Sequence, residues 1–139
     1  MNTPMLIPMT ALAGLTAVIW LIAVRQRVAE IRRQRIRVQS LARPRDVAAL
    51  LQDTAAMDNF NNLLQMPVLF YAVCLAATQI HADSLPMVAL AWGYVLLRLL
   101  HSVIQLGDNR VMRRFPVWMA SNVLLFALWG NLGFTLVFH

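Results

Sequence analysis

Apolar residues fall into long runs along this chain, separated by short polar intervals. Met5–Val24, Leu63–Ile80, Pro86–Leu97 and Pro116–Phe138 contain almost no charge. Each run supplies, or nearly supplies, the about 20 residues a helix needs to cross the hydrocarbon core of a bilayer. The pattern predicts an all-α integral membrane protein, a four-transmembrane-helix bundle forming one domain over residues 1–139. The spans are expected at about 5–24, 60–80, 86–106 and 115–138. Nothing breaks the first helix before Ser40, so it is expected to run on through the arginine-rich stretch to Val38. Pro44 marks a break, with Asp46 as the expected N-cap of the next helix. Between Val47 and Ile80 only Pro67 interrupts, which predicts one long helix with a kink. His81–Pro86 is a turn, and Gly107–Asp108–Asn109 ends the third helix. The fourth is expected to start near Phe115–Pro116, with proline in its first turn.

Composition sharpens the reading. Hydrophobic residues make up 60% of the chain and charged ones 13%, against roughly 25% charged in a soluble domain. The connections are too short to bury a core of their own. The net charge is +6, and all twelve basic residues are arginine, eight of them between Arg25 and Arg45. Arg110, Arg113 and Arg114 lie in the third connection, whereas the second holds only Asp83. Positive charge beside a span resists translocation. The basic connection 25–46 and the third connection are therefore expected in the cytoplasm, with both termini on the other side. Topology accounts for the charge, and nucleic-acid binding is not expected. The same arginines fit a solvated or headgroup-facing helix beside anionic lipid. Cys74 is the only cysteine and reads as a small buried hydrophobe. The N-terminal residues show no basic segment and no small-residue cleavage site, so the first span is expected to be an uncleaved anchor.

Polar residues inside the runs pair or function, because hydrocarbon offers them no partner. At 100° per residue Tyr94, Arg98, His101, Ser102 and Gln105 form one stripe of the third helix. Arg98 must therefore face protein or water. On the second helix Asp58, Asn61, Asn62 and Gln65 share a sector of about 100°. With Arg110, Arg113 and Arg114 they lie at one membrane level, which suggests a cationic pocket for a small anionic ligand. Each residue also has a structural reading. Asp58 could pair with Arg98 or Arg113 to fix helix packing, the asparagines could be interhelical hydrogen-bond glue, and Arg113 and Arg114 could be interface anchors. No nucleophile–base pair and no metal-ligand spacing is seen, since His81, His101 and His139 are far apart. No metal is expected. The spans also lack the carboxylate of a proton-coupled exporter.

The run from Asp58 to Tyr71, with Asn61-Asn62-Leu63-Leu64-Gln65-Met66-Pro67 at its centre, resembles the second-helix signature of the MAPEG family, the membrane-associated proteins in eicosanoid and glutathione metabolism. Ala91-Trp92 through Arg98-Leu99-Leu100-His101-Ser102 resembles its third-helix signature, and Asn109-Arg110 with Arg113-Arg114-Phe115 resembles the connection after it. The likeness extends over most of the chain and is closest to the bacterial members. It implies a homotrimer with glutathione bound between subunits at the cytoplasmic side. An Asn-x-x-Glu pair holds glutathione in the family; the matching positions are Asn62 and Gln65, so the glutamate is replaced. Arg98 and His101 match the family's third-helix residues, and Gln105 stands where some members have tyrosine. Arg114, flanked by Arg110 and Arg113, matches the arginine that stabilises the thiolate. Asp58 stands in place of an arginine and offers a carboxylate in exchange for the one lost at position 65.

These readings lead to an expected glutathione-dependent transferase or peroxidase of a bacterial inner membrane. It would act on a lipophilic electrophile reaching the pocket from the bilayer. The alternative is a non-enzymatic membrane protein of the same fold that binds lipid or a partner, its glutathione site degraded at Gln65, Gln105 and Asp58. A small transporter ranks last, for want of a coupling residue.

Overall fold

The computed structural model describes residues 4–138; His139 lies outside them. Among the described residues there are six α-helices: α1 (Leu6–Gln34), α2 (Pro44–Leu50), α3 (Ala55–Leu63), α4 (Pro67–Gln79), α5 (Leu85–Leu106) and α6 (Val111–Phe138), with a 3₁₀ turn at Val38–Leu41. No strand occurs among the described residues. α1, the pair α3–α4 taken together, α5 and α6 are, among the described residues, the four segments long and apolar enough to cross a membrane. They form a bundle. α1 packs on α3, α4 and α5, while α6 closes against α5 and α4. The core runs through Leu12, Ile19, Leu63, Phe70, Val73, Ala91, Tyr94, Leu125 and Leu128, all buried.

α1 stops earlier than the sequence predicts. Arg35 adopts a left-handed conformation, φ 51°. The Arg35 and Ile36 amides then donate back to the Arg32 and Ile31 carbonyls, a double closure that satisfies the last turn. The single helix expected from Val47 to Ile80 is divided in two places. Leu51 is 3% exposed, and the Gln52 amide beside it donates to Glu30 Oε1 at 2.9 Å. That long-range bond holds the non-helical residues 51–54 against α1, with Leu51 extended. The second interruption is at Leu64–Met66, where the Leu64 and Gln65 amides reach back only three residues. Pro67 has no N–H to continue the ladder and opens α4 instead. Asp46 is not the N-cap of α2. Arg43 holds that position with Pro44 next to it, and Asp46 lies in the first turn, where a carboxylate still favours the helix dipole. α6 begins at Val111, so Pro116 sits inside it and leaves one early carbonyl without its usual donor.

Candidate functional site

The polar stripe of α5 is buried throughout: Tyr94, Arg98, His101, Ser102 and Gln105 are each at most 3% exposed. Its deepest member is Arg98, which has no exposed surface. Nε donates to the Tyr94 hydroxyl at 3.1 Å, and Nη2 donates to Asn122 Oδ1 at 3.0 Å. The guanidinium carbon lies 5.2 Å from the Tyr94 ring centroid, and that ring stacks on Phe70. A buried cation is thus held by two neutral acceptors and an aromatic face. No acidic group pairs with it among the described residues.

One turn further along, His101 Nδ1 lies 3.3 Å from the Arg114 carbonyl and Nε2 lies 3.0 Å from Gln105 Oε1. Both partners are oxygens that only accept, so the neutral ring donates to one of them at a time, through whichever nitrogen carries the proton. Asn62 Nδ2 reaches the same Gln105 oxygen at 3.4 Å. Gln105 therefore joins α3 to α5, and His101 joins α5 to α6. Beside them Ser102 donates to Asn59 at 3.2 Å. Arg114 is placed by its own loop: Asn109 is left-handed, φ 48°, and its Oδ1 accepts from Arg114 Nη1 at 2.8 Å.

These residues open onto a cavity of about 270 Å³ lined by Asn62, His101, Val111, Arg114, Phe115 and Trp118. One wall is polar and carries a guanidinium. The other is aliphatic and aromatic, with Phe115 and Trp118 stacked along α6. Such a cleft suits a ligand with an anionic or polarisable head and an apolar body.

The remaining predicted residues lie elsewhere within this chain. Arg98 and Gln105 stand behind the cavity wall. Arg113 and Arg110 are exposed and turn to Asp108, at 2.9 and 3.7 Å. Asp58 is exposed, accepts from the Thr54 hydroxyl at 2.9 Å and pairs with neither Arg98 nor Arg113. Gln65 is exposed in the turn between α3 and α4, as Asn61 is at the end of α3. The buried face of α3 is instead Ala56, Asn59 and Leu63. Sequence reasoning missed Asn122, the acceptor for Arg98. A lone asparagine in an apolar run was the available signal. Trp118 read there only as an apolar position, and Phe115 only as part of the family likeness and the start of the fourth helix. Among the described residues no group of three or more His, Cys, Asp or Glu side chains is placed to hold a metal ion.

A four-span integral membrane protein with a half-polar, half-aromatic cleft near one end of its bundle is the class that fold and site define. The family model for the MAPEG family matches residues 5–134, nearly the whole chain, and the chain belongs to that family. Searches of curated proteins and of solved structures return no match.

Proposed function

We propose that the protein is a glutathione-dependent transferase or peroxidase acting on lipophilic electrophiles, assembled as a homotrimer in a bacterial inner membrane. The single observation that carries this reading is the cavity that Arg114, His101 and Asn62 line together with Phe115 and Trp118. A thiol is a nucleophile only as its thiolate, and a nearby guanidinium favours that form. In the proposed reaction the glutathione thiol gives its proton to water at the cavity mouth. Arg114 stabilises the sulfur anion, which forms a bond to the electrophilic atom while the leaving group departs with its electron pair. The aromatic wall holds the apolar substrate. Arg98 acts through structure, fixing α5 against α6 from behind, and Gln105 orients His101.

Asp58, Asn61 and Gln65 point away from the core of their own protomer. That supports a site completed by a neighbouring copy, with Gln65 and Asp58 meeting the polar parts of glutathione together with Arg110 and Arg113. A Gln65→Glu change then strengthens glutathione binding, because a carboxylate pairs with the ammonium where an amide can only hydrogen-bond. Unchanged binding counts against that position. Conjugation of a chromogenic electrophile by purified protein, with Arg114→Ala as control, tests the activity. We expect Arg114→Ala to lose about 1.5–3 kcal/mol of stabilisation, the range for a charged hydrogen bond, or roughly 10- to 100-fold in rate. A rate equal to wild type removes Arg114 from the mechanism. Lipid or partner binding without catalysis is the second reading, and the replacement at Gln65 is what favours it.

A further inference from the structure

The first connection carries a feature that the cleft does not use. Eight arginines lie between Arg25 and Arg45, and among the described residues only Arg45 has an acidic partner, Asp46 at 3.7 Å. The other acid of this segment, Glu30, is turned inward. It is 5% exposed, and its Oε1 accepts from Gln34 Nε2 and from the Gln52 amide. The carboxylate that could neutralise the cluster therefore serves as an internal tether. That tether, with the left-handed Arg35, folds the connection back beside the last turns of α1. Arg32, Arg33, Arg35, Arg37 and Arg43 are all exposed, and so is Val38 between them, at 74%.

Depth comes from helix geometry. From Leu6 to Val24, α1 covers about 28 Å at about 1.5 Å per residue, close to the about 30 Å of hydrocarbon it must cross. Arg25 then stands at the edge of the hydrocarbon. The remaining turns to Gln34 rise about 15 Å further, through the about 5–8 Å headgroup layer and past it. The chain then turns back toward the bilayer, where the Gln52 amide meets Glu30. Guanidinium groups bind phosphate in fork geometry, which ammonium groups cannot match, and this chain has no lysine at all.

We propose that the α1–α2 connection is a binding surface for anionic phospholipid, with Arg32, Arg35, Arg37 and Arg43 attracting the phosphodiester headgroups. The occupant is membrane lipid rather than nucleic acid, because the arginines directly follow a span and stand beside the protein's own bilayer, where a polybasic segment is drawn to anionic headgroups. The test titrates the full detergent-solubilised chain with phosphatidylglycerol or phosphatidylcholine in mixed micelles. Thermal unfolding and native mass spectrometry read stabilisation and retained lipid. Phosphatidylglycerol is expected to raise the unfolding midpoint and to be retained, an effect that falls steeply when salt is raised. Each arginine near the surface contributes roughly fivefold. Combining Arg35→Gln, Arg37→Gln and Arg43→Gln is therefore expected to weaken retention by roughly 100-fold. Should that variant misfold, the lipid preference and salt dependence of the wild type decide. Equal response to phosphatidylcholine overturns the proposal, as does indifference to salt or an unchanged folded variant. Inorganic phosphate giving the full stabilisation, or an oligonucleotide binding more tightly than phosphatidylglycerol, overturns it as well.

Discussion

Arg98 and Glu30 are opposite charges with the same difficulty, since each is withdrawn from water without an ionic partner. Burying an arginine in a bilayer costs about 2.5 kcal/mol or more. At Arg98 that cost is offset in part by the Tyr94 hydroxyl, its ring and Asn122, while Nη1 is buried without a partner among the described residues. Asn122→Ala leaves Nη2 without an acceptor and is expected to destabilise the protein by about 1–3 kcal/mol, read from its thermal unfolding in detergent. Glu30 is more specific in its demand, because Oε1 alone receives both the Gln34 and the Gln52 donors. Glu30→Gln keeps an acceptor in that position and is expected to behave nearly as wild type. Glu30→Leu orphans the Gln52 amide and is expected to cost about 1–3 kcal/mol, with faster proteolysis of the connection. Equal destabilisation of the two variants would mean that charge, not the hydrogen bond, holds the segment, and wild-type behaviour of both would mean that neither does. The inward stripe of α5 is legible in the sequence because a helix turns 100° at each residue. Its partner is not, because which residue of α6 meets Arg98 depends on how the two helices are offset.

Among the elements, the apolar runs of α1, α5 and α6 announce themselves by length, and the region between α1 and α4 does not. Residues 47–63 contain no proline or glycine, so local propensity alone favours continuous helix there. The chain departs from it because Leu51 finds a buried site and the Gln52 amide finds Glu30. Both are long-range contacts that local sequence cannot display. The same limit applies to α3, where the polar sector reads as inward but Asn59 is the polar residue on the buried face. Close approach of α5 to α6 is set by Gly93, where an added Cβ would stand 2.9 Å from Leu124 Cδ1. That atom is the end of a flexible side chain, so Gly93→Ala is expected to fold with a small loss. Gly93→Phe overpacks the seam and is expected to cost about 1–3 kcal/mol. If both variants unfold at the wild-type temperature, the two helices are not in close contact at that level.

Across the whole molecule, large apolar side chains remain exposed on the outer faces, among them Val123, Phe126 and Phe134 of α6. In a bilayer, lipid or another protomer covers such a surface. The exposed polar edge of Asp58, Asn61 and Gln65 has no comparable lipid partner, since polar groups in hydrocarbon seek protein. A trimer in which that edge meets a neighbour's cleft answers both needs. Native mass spectrometry is expected to report three chains per particle, and a monomer that still binds glutathione would contradict a shared site. The most direct test is calorimetric titration of the purified protein in detergent with glutathione, for wild type and Arg114→Ala. Saturable binding by wild type, weakened roughly tenfold or more by the substitution as loss of a charged hydrogen bond implies, is the predicted result. No binding at millimolar glutathione, or equal binding by both proteins, would contradict the assignment of this cleft as a glutathione site.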